Sequence, residues 1–394
     1  MHRSLLLAAC LTLLPVVAPA ADSEIRVGVI LPVTGPMAKF GEMEVNAMRM
    51  ACDEINLTGG INGLEMKLLI EDGAGKPEVA RAAAEKLITR DRVPVLGGGY
   101  SSSCTFAIAG VAQRFRIPFV IGTGSADKIT QQGWEYVYRI GPPVSEYPRG
   151  MLDFWESVVH PKSVAICYEN TLFGTSGAGD IKEYCARRKI EITDYVSYEA
   201  GAVDFKPMLV KIKAHEPDVV YMISYIMDAS LLMRQSKELN LSPKLFCGGA
   251  AGFTMPEFIE NAKAASELVA SVTLWSPNVD YPGAKEFDLK YSNQFKTRPD
   301  YHAVEAYADL YCIADGLRRA SSYTPEDIRA SLDTTDLVTP FGRVKFETYG
   351  KFRNQNRIPT LVVQVIDGKF ETIWPKDIAS AEPVYPVKPW DKRD

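Results

Sequence analysis

The sequence predicts an α/β protein built from two similar units, each a parallel sheet with helices on both faces. Three observations carry that prediction. At 394 residues the chain is too long for one ordinary core and suits two medium domains. Short β-rich runs alternate with helical runs from Ile25 onward. The alternation breaks around Gly141-Pro142-Pro143 and then starts again, which marks a seam.

The first unit opens with Ile25–Leu31, a mostly apolar run of the kind a buried strand requires. From Gly41 to Ile55, Val45, Met48, Cys52 and Ile55 recur at helical spacing. Met66–Asp72 reads as the next strand. In Pro77–Thr89, Ala80, Ala83, Ala84, Leu87 and Ile88 share one helix face, and Pro77 suits the first turn. Val93–Leu96 reads as a strand, Ser102–Phe115 as a helix with Cys104, Ile108, Val111 and Phe115 inward, and Ile117–Ile121 as a strand. Beyond the seam, strands are expected at Ser163–Tyr168, Ile192–Tyr198, Asp218–Ser224 and Lys244–Cys247. Between them lie helices at Ser176–Arg188, Phe205–Ala214 and Ala229–Leu239. The tail from Pro383 to Asp394 reads as extended and peripheral.

Composition narrows the function. The chain is 46% hydrophobic and 24% charged, ordinary for a soluble globular protein, with a net charge of −5. At that charge it has no global electrostatic footprint for nucleic acid and should not cling to anionic lipid, and no run of Lys and Arg suggests a basic patch. At the N-terminus, His2 and Arg3 precede the uncharged stretch Leu5–Ala21, and Ala18-Pro19-Ala20 supplies the small residues of a cleavage site. That layout predicts a secretory signal, residues 1–20, removed after Ala20. A membrane anchor is the alternative, but the stretch is short and interrupted by Pro15 and Pro19. Leu7-Ala8-Ala9-Cys10 also fits a lipoprotein pattern, at the cost of a very short leader. Export permits disulfides. Cys52, Cys104, Cys167, Cys185, Cys247 and Cys312 are sparse and form no CxxC pair, so most read as small buried hydrophobes, with one or two bridges at most.

In open parallel sheets ligands bind outside the carboxyl ends of the strands. After Val93–Leu96 comes Gly97-Gly98-Gly99-Tyr100-Ser101-Ser102-Ser103, which runs straight into a helix. Gly122-Thr123-Gly124-Ser125 occupies the equivalent place one strand later. Glycines allow close backbone approach, and hydroxyls with first-turn N–H groups suit an anion. These two loops form a candidate carboxylate cradle, although capping by Ser102 and turn formation would use the same residues. Enzyme motifs fail in turn. Gly73-Ala74-Gly75-Lys76 lacks the spacing of a phosphate loop, and Gly174-Thr175-Ser176-Gly177-Ala178 breaks the nucleophile elbow at its last position. His160, His215 and His302 stand apart and read as surface or capping residues, and no cluster suggests a metal or other cofactor. No catalytic residue is expected.

The order of motifs resembles the leucine/isoleucine/valine-binding family of periplasmic proteins that serve ABC importers. The resemblance rests on Ile25–Leu31 with Pro32-Val33-Thr34-Gly35-Pro36 and Phe40-Gly41, on Asp53-Glu54-Ile55-Asn56 with Gly59-Gly60-Ile61-Asn62-Gly63, on Glu71-Asp72, and on the loops at 98–103 and Ser125. It extends over Asp218–Tyr225, Leu231–Leu239 and the Thr360–Trp374 strand pair, hence over essentially the whole mature chain. It implies two Rossmann-like lobes of the type I periplasmic binding fold, closing like a hinge and joined by three crossovers near residues 141, 270 and 350. The lobes would be 21–141 plus 271–350 and 142–270 plus 351–380, with an extended tail at 381–394. It implies a periplasmic monomer, not an enzyme, that hands its ligand to a membrane permease. Ser101, the backbone of Thr123, and Ser125 would hold the ligand's polar head, and Tyr225 would reach it from the second lobe. Phe40, Tyr100 and Phe173 would line the side-chain pocket, with Trp134 and Tyr147 nearby. The expected ligand is a small carboxylate, a hydrophobic or branched-chain amino acid. The alternatives are an amine-free aromatic or aliphatic carboxylate, or a sensing role in place of transport.

Two departures stand out. Where such amino-acid binders place a carboxylate for the ligand ammonium, this chain reads Gly248-Gly249-Ala250-Ala251, and Asp228 is the available substitute. The family's disulfide in the first lobe is also absent, with Gly75 and Tyr100 in the neighbourhood of its two cysteines.

Overall fold

The computed structural model describes residues 23–393, so the signal segment at 1–20 and the cleavage point after Ala20 lie outside the described residues. Two seven-stranded sheets organise the chain. The first places Glu24–Leu31 between Glu65–Asp72 on one side and Leu96–Gly98 on the other, all parallel. Phe119–Ile121 and Val137–Arg139 extend it, and Phe352–Gln355 with Glu347–Tyr349 closes the edge. The second sheet repeats the plan, with Ser163–Glu169 between Glu191–Tyr198 and Val219–Ile223, then Leu245–Gly248 and Ala270–Thr273. An antiparallel hairpin, Leu361–Ile366 with Lys369–Trp374, completes it. Asp367 and Gly368 turn that hairpin at positive φ, the geometry that Asp-Gly turns favour.

The apolar spacing explains the layers. Ala80, Leu87, Ile108 and Ala112 from two helices meet Ile30, Phe119 and Ile121 on one face of the first sheet. The other face packs Met48 and Ile55 of the Ala38–Leu57 helix with Leu310, Ile313 and Leu317 of the Tyr301–Arg319 helix. In the second lobe, Phe205, Leu209, Met233 and Phe258 cover one face. In each sheet the second strand in sequence lies on one side of the first and the third on the other. The winding direction reverses there, and a crevice opens at the carboxyl ends of these strands.

Two of the expected boundaries move. Ala270–Thr273 hydrogen-bonds both Leu245–Gly248 and Leu361–Ile366, so the chain leaves the second lobe after Thr273, not at 270. Phe352–Gln355 pairs with Val137–Arg139 in the first sheet, so the last crossing follows Gln355, not 350. Helices also begin earlier than their apolar pattern suggests. Leu172–Arg188 starts at Leu172, not Ser176, because the buried Glu169 carboxylate accepts the N–H groups of Thr171 at 2.8 Å and Gly174 at 2.9 Å. The six cysteines from Cys52 to Cys312 are all buried free thiols. The tail is extended but anchored: Val387 N–H donates to Lys244 O at 2.9 Å and Trp390 Nε1 to Leu241 O at 2.7 Å.

Candidate functional site

The crevice between the lobes is closed. Tyr100 of the first lobe and Tyr225 of the second have ring centres 5.9 Å apart, and Phe40 and Tyr225 lie 6.3 Å apart. Between them is a small cavity of about 20 Å³.

The first lobe supplies its polar wall. Gly98 and Gly99 turn the chain at φ +91° and +84°, and a Cβ on Gly99 would sit 2.9 Å from the Phe119 ring. That tight turn brings the start of the Ser102–Phe115 helix to the cavity, where Ser102, Thr123 and Ser125 are lining residues. The Thr123 and Ser125 N–H groups make no hydrogen bond among the described residues. Thr123 Oγ1 lies 2.8 Å from Glu44 Oε1. Burial pushes Glu44 well above the usual carboxylate range, which favours its neutral acid. Thr123 Oγ1 also lies 3.3 Å from Gly99 O, so the Glu44 carboxyl and the Gly99 carbonyl together fix this side chain at the cavity wall. Behind Ser125, the fully buried Arg139 donates to Ala126 O at 2.9 Å, Gly124 O at 3.3 Å, Thr130 Oγ1 at 2.9 Å and Gln355 Oε1 at 2.7 Å. Burial lowers its pKa to about 10. Arg139 thus clamps both carbonyls that flank Ser125 and places a positive charge behind the cradle.

The second lobe supplies rings. Tyr225 is the N-cap position of the Ile226–Glu238 helix and packs on Phe173, with ring centres 5.7 Å apart. The Gly248–Gly252 loop lies beneath. A Cβ on Gly252 would meet the Tyr225 carbonyl carbon at 2.4 Å, and one on Gly248 would meet Phe253 at 2.4 Å. Ala250 and Ala251 both hold positive φ, 69° and 49°, a strained backbone for residues with a Cβ. The Ala251 N–H donates to Tyr301 Oη at 3.1 Å, a bond from the second lobe to the first.

Most of the expected site residues meet here, with two exceptions. Thr123, Ser125, Tyr100, Phe173 and Tyr225 line the cavity, and Phe40 stacks behind Tyr100 at 4.5 Å. Ser101 does not join them. Its side chain accepts from Cys104 N–H at 3.4 Å as the helix N-cap, and the next residue, Ser102, takes the cavity position. Asp228 is also elsewhere. Both of its oxygens accept from Gly201 N–H, at 3.2 and 3.1 Å, and it is absent from the cavity wall. The first turn of its helix faces the loop after Glu191–Tyr198, which explains the miss. Trp134 packs on Phe106 outside the cleft, whereas Tyr147 lines it.

A family model described as periplasmic binding protein matches residues 24–369. The chain belongs to that family. Among curated relatives, the chain is 27% identical over 382 residues to a Leu/Ile/Val-binding protein homolog of Brucella abortus, covering 92% of this chain and 93% of the relative. Among solved structures it is similar to a branched-chain amino acid transporter substrate-binding protein from Streptococcus pneumoniae in complex with isoleucine. That likeness has a TM-score of 0.82 and 22% identity, covering 92% of this chain and all of the other. A solute-binding protein of an ABC transporter from Rhodopseudomonas palustris, in complex with 3,4-dihydroxybenzoic acid, has a TM-score of 0.80 and 20% identity, covering 94% of this chain. These structures fix the type I periplasmic binding fold, and the family is one of solute binders, not of enzymes.

Sequence reasoning missed three residues around this cavity. Arg139 lies in a strand with no polar pattern around it. Tyr301 and His302 begin a helix that topology alone brings to the cleft. His302, read as a surface or capping residue, is 2% exposed and lines the cavity.

Proposed function

We propose that the chain is an exported solute-binding protein of an ABC importer, which captures a small carboxylate between its lobes and delivers it to a membrane permease as a monomer. One observation carries the reading: a cavity with hydroxyls and unpaired backbone N–H groups on one wall and aromatic rings on the other, contributed by different lobes. Hydroxyls and oriented N–H groups suit a carboxylate, and the rings suit an apolar body. The curated relatives' name points to branched-chain amino acids, while solved neighbours hold isoleucine in one case and a dihydroxybenzoic acid in another. A carboxylate on a small apolar body is common to both. Each lobe contacts the ligand, so binding favours the closed state.

The test is titration calorimetry of Thr123→Ala/Ser125→Ala against hydrophobic amino acids, their 2-oxo acids and benzoates. Affinity for the bound carboxylate should fall by about 1.5–3 kcal/mol per lost charged hydrogen bond, measured at a temperature where the variant is folded, since Thr123→Ala also removes the partner of the buried Glu44. Ser101→Ala is the control: it removes a cap worth about 1 kcal/mol of stability and leaves affinity unchanged. Equal affinity in the double variant and the parent would remove the cradle from the reading.

A further inference from the structure

We propose that the Asp300–His302 pair is the acceptor of this cleft: His302 Nε2 takes a hydrogen bond from a donor, ammonium or hydroxyl, on the carbon that bears the ligand's carboxylate. This rests on the cleft being the solute site and adds the residue that ranks solutes within it.

Asp300 is the N-cap of the Tyr301–Arg319 helix, and one of its carboxylate oxygens accepts from the His302 backbone N–H at 2.9 Å. The other lies 2.7 Å from His302 Nδ1 and 3.0 Å from Thr254 Oγ1 of the second lobe. A carboxylic acid gives up its proton about 2–3 pH units below an imidazolium, so the proton shared by such a pair stays on nitrogen. Nδ1 therefore donates to Asp300, and in the neutral ring Nε2 keeps its lone pair and can only accept. Neighbouring rings hold the imidazole in place. It stacks on Tyr301 at 3.9 Å, with Phe40 at 5.0 Å and Tyr100 at 5.6 Å on its other sides. His302 lines the cavity, and its Nε2 makes no hydrogen bond among the described residues.

The rest of the wall has the opposite polarity. The unpaired Thr123 and Ser125 N–H groups can only donate, and the buried Tyr100 hydroxyl, also without a partner among the described residues, has a proton to give. Those groups suit the acid end of a solute. Among the described residues no Asp or Glu lines the cavity, and Asp228 is taken by Gly201. Of the side chains on the wall, His302 is thus the one that can only accept. A donor beside the ligand's carboxylate has this atom to pair with, and a buried lone pair left unmatched is costly. Asp300 behind the ring gives the pair one negative charge, so an ammonium at Nε2 is not enclosed without a countercharge. The pair fills from the first lobe a role for which the Gly248–Gly252 loop of the second has no room.

Calorimetry of acids that differ at one carbon tests this: leucine, its 2-hydroxy and its 2-oxo analogue, then phenylalanine and its two analogues. In the parent protein the amino or the hydroxy acid should bind at least about 10-fold tighter than the oxo acid, whose oxygen would face the Nε2 lone pair. The tighter of the two names the donor. His302→Phe keeps a ring and removes the acceptor, so that acid should lose about 10- to 100-fold while the oxo acid loses little. Asp300→Asn turns an amide donor towards Nδ1 and moves the imidazole proton to Nε2. The preference should then shift towards the oxo acid, a change of ratio that a merely structural role would not produce. An oxo acid that binds the parent as tightly as both donor acids, or a ranking in His302→Phe identical to the parent's, would overturn the assignment and leave the cleft as a solute site. Binding of none of these acids would overturn the assignment and the reading beneath it together.

Discussion

The two walls of the cleft come from sheets of the same plan, yet they are made of different materials. In the first lobe the strand-end loops are held by side-chain chemistry: Arg139 on the carbonyls of residues 124 and 126, Glu44 on Thr123, and Asp309 Oδ2 accepting from Gly98 N–H at 2.7 Å. In the second lobe the side chains that hydrogen-bond the Gly248–Gly252 loop among the described residues are only hydroxyls, Ser271 Oγ donating to Gly248 O at 3.2 Å, Thr254 Oγ1 donating to Ala251 O at 3.0 Å and Tyr301 Oη accepting from Ala251 N–H, and the loop has almost no room for a side chain. This explains the missing carboxylate after the Leu245–Gly248 strand. A charged side chain at Gly248 or Gly252 would collide with Phe253 or with the backbone at Tyr225. The difference teaches a division of labour. The first lobe carries the preorganised polar contacts, and the second closes over them with Tyr225 and Phe173.

The comparison can be broken most forcefully at Arg139. Arg139→Leu strips the donors from several buried acceptors at once, each worth about 1–3 kcal/mol when left unpaired. A loss of about 3–5 kcal/mol in a denaturant titration is expected, together with weaker ligand binding at temperatures where the variant remains folded. Unchanged affinity in the folded variant would mean that the Ser125 loop is positioned without it.

A smaller effect is expected at Asp228, which sharpens the contrast from the second lobe. Burial pushes its carboxyl up to about 6, only partly opposed by the Gly201 N–H. The unfolded value is near 3.9, so as pH rises the unfolded chain releases this proton first. The stability that neutral Asp228 contributes is present below about pH 4 and is lost between about pH 4 and 6. Asp228→Asn should flatten the stability profile over that window while leaving ligand affinity intact. An affinity loss in this variant would return Asp228 to the site.

Much of this was legible in the sequence because it depends on local pattern. The Ile25–Leu31 strand, the alanine face of Pro77–Thr89 and the loops ending at Tyr100 and Ser125 follow from periodicity and glycine placement. The one-residue choice between Ser101 and Ser102 did not. It depends on which serine is at the N-cap, and a helix start is where apolar periodicity carries least information. Asp228 and His302 failed for a different reason. Each begins a helix, and only the packing of that helix decides whether its first turn faces the cleft or a neighbouring loop. Phe352–Gln355 was invisible because its partner, Val137–Arg139, is remote in sequence and the strand itself is short.

The central claim is that one ligand joins the two walls. Small-angle scattering of the protein, free and saturated with the tightest-binding carboxylate, tests it most directly. If Thr123 and Ser125 on one lobe and Tyr225 on the other touch the same molecule, the radius of gyration should fall on saturation, and the double variant Thr123→Ala/Ser125→Ala should need more ligand to reach the same compact state. Identical radii in the free and saturated protein would contradict closure as the way this cleft holds its solute.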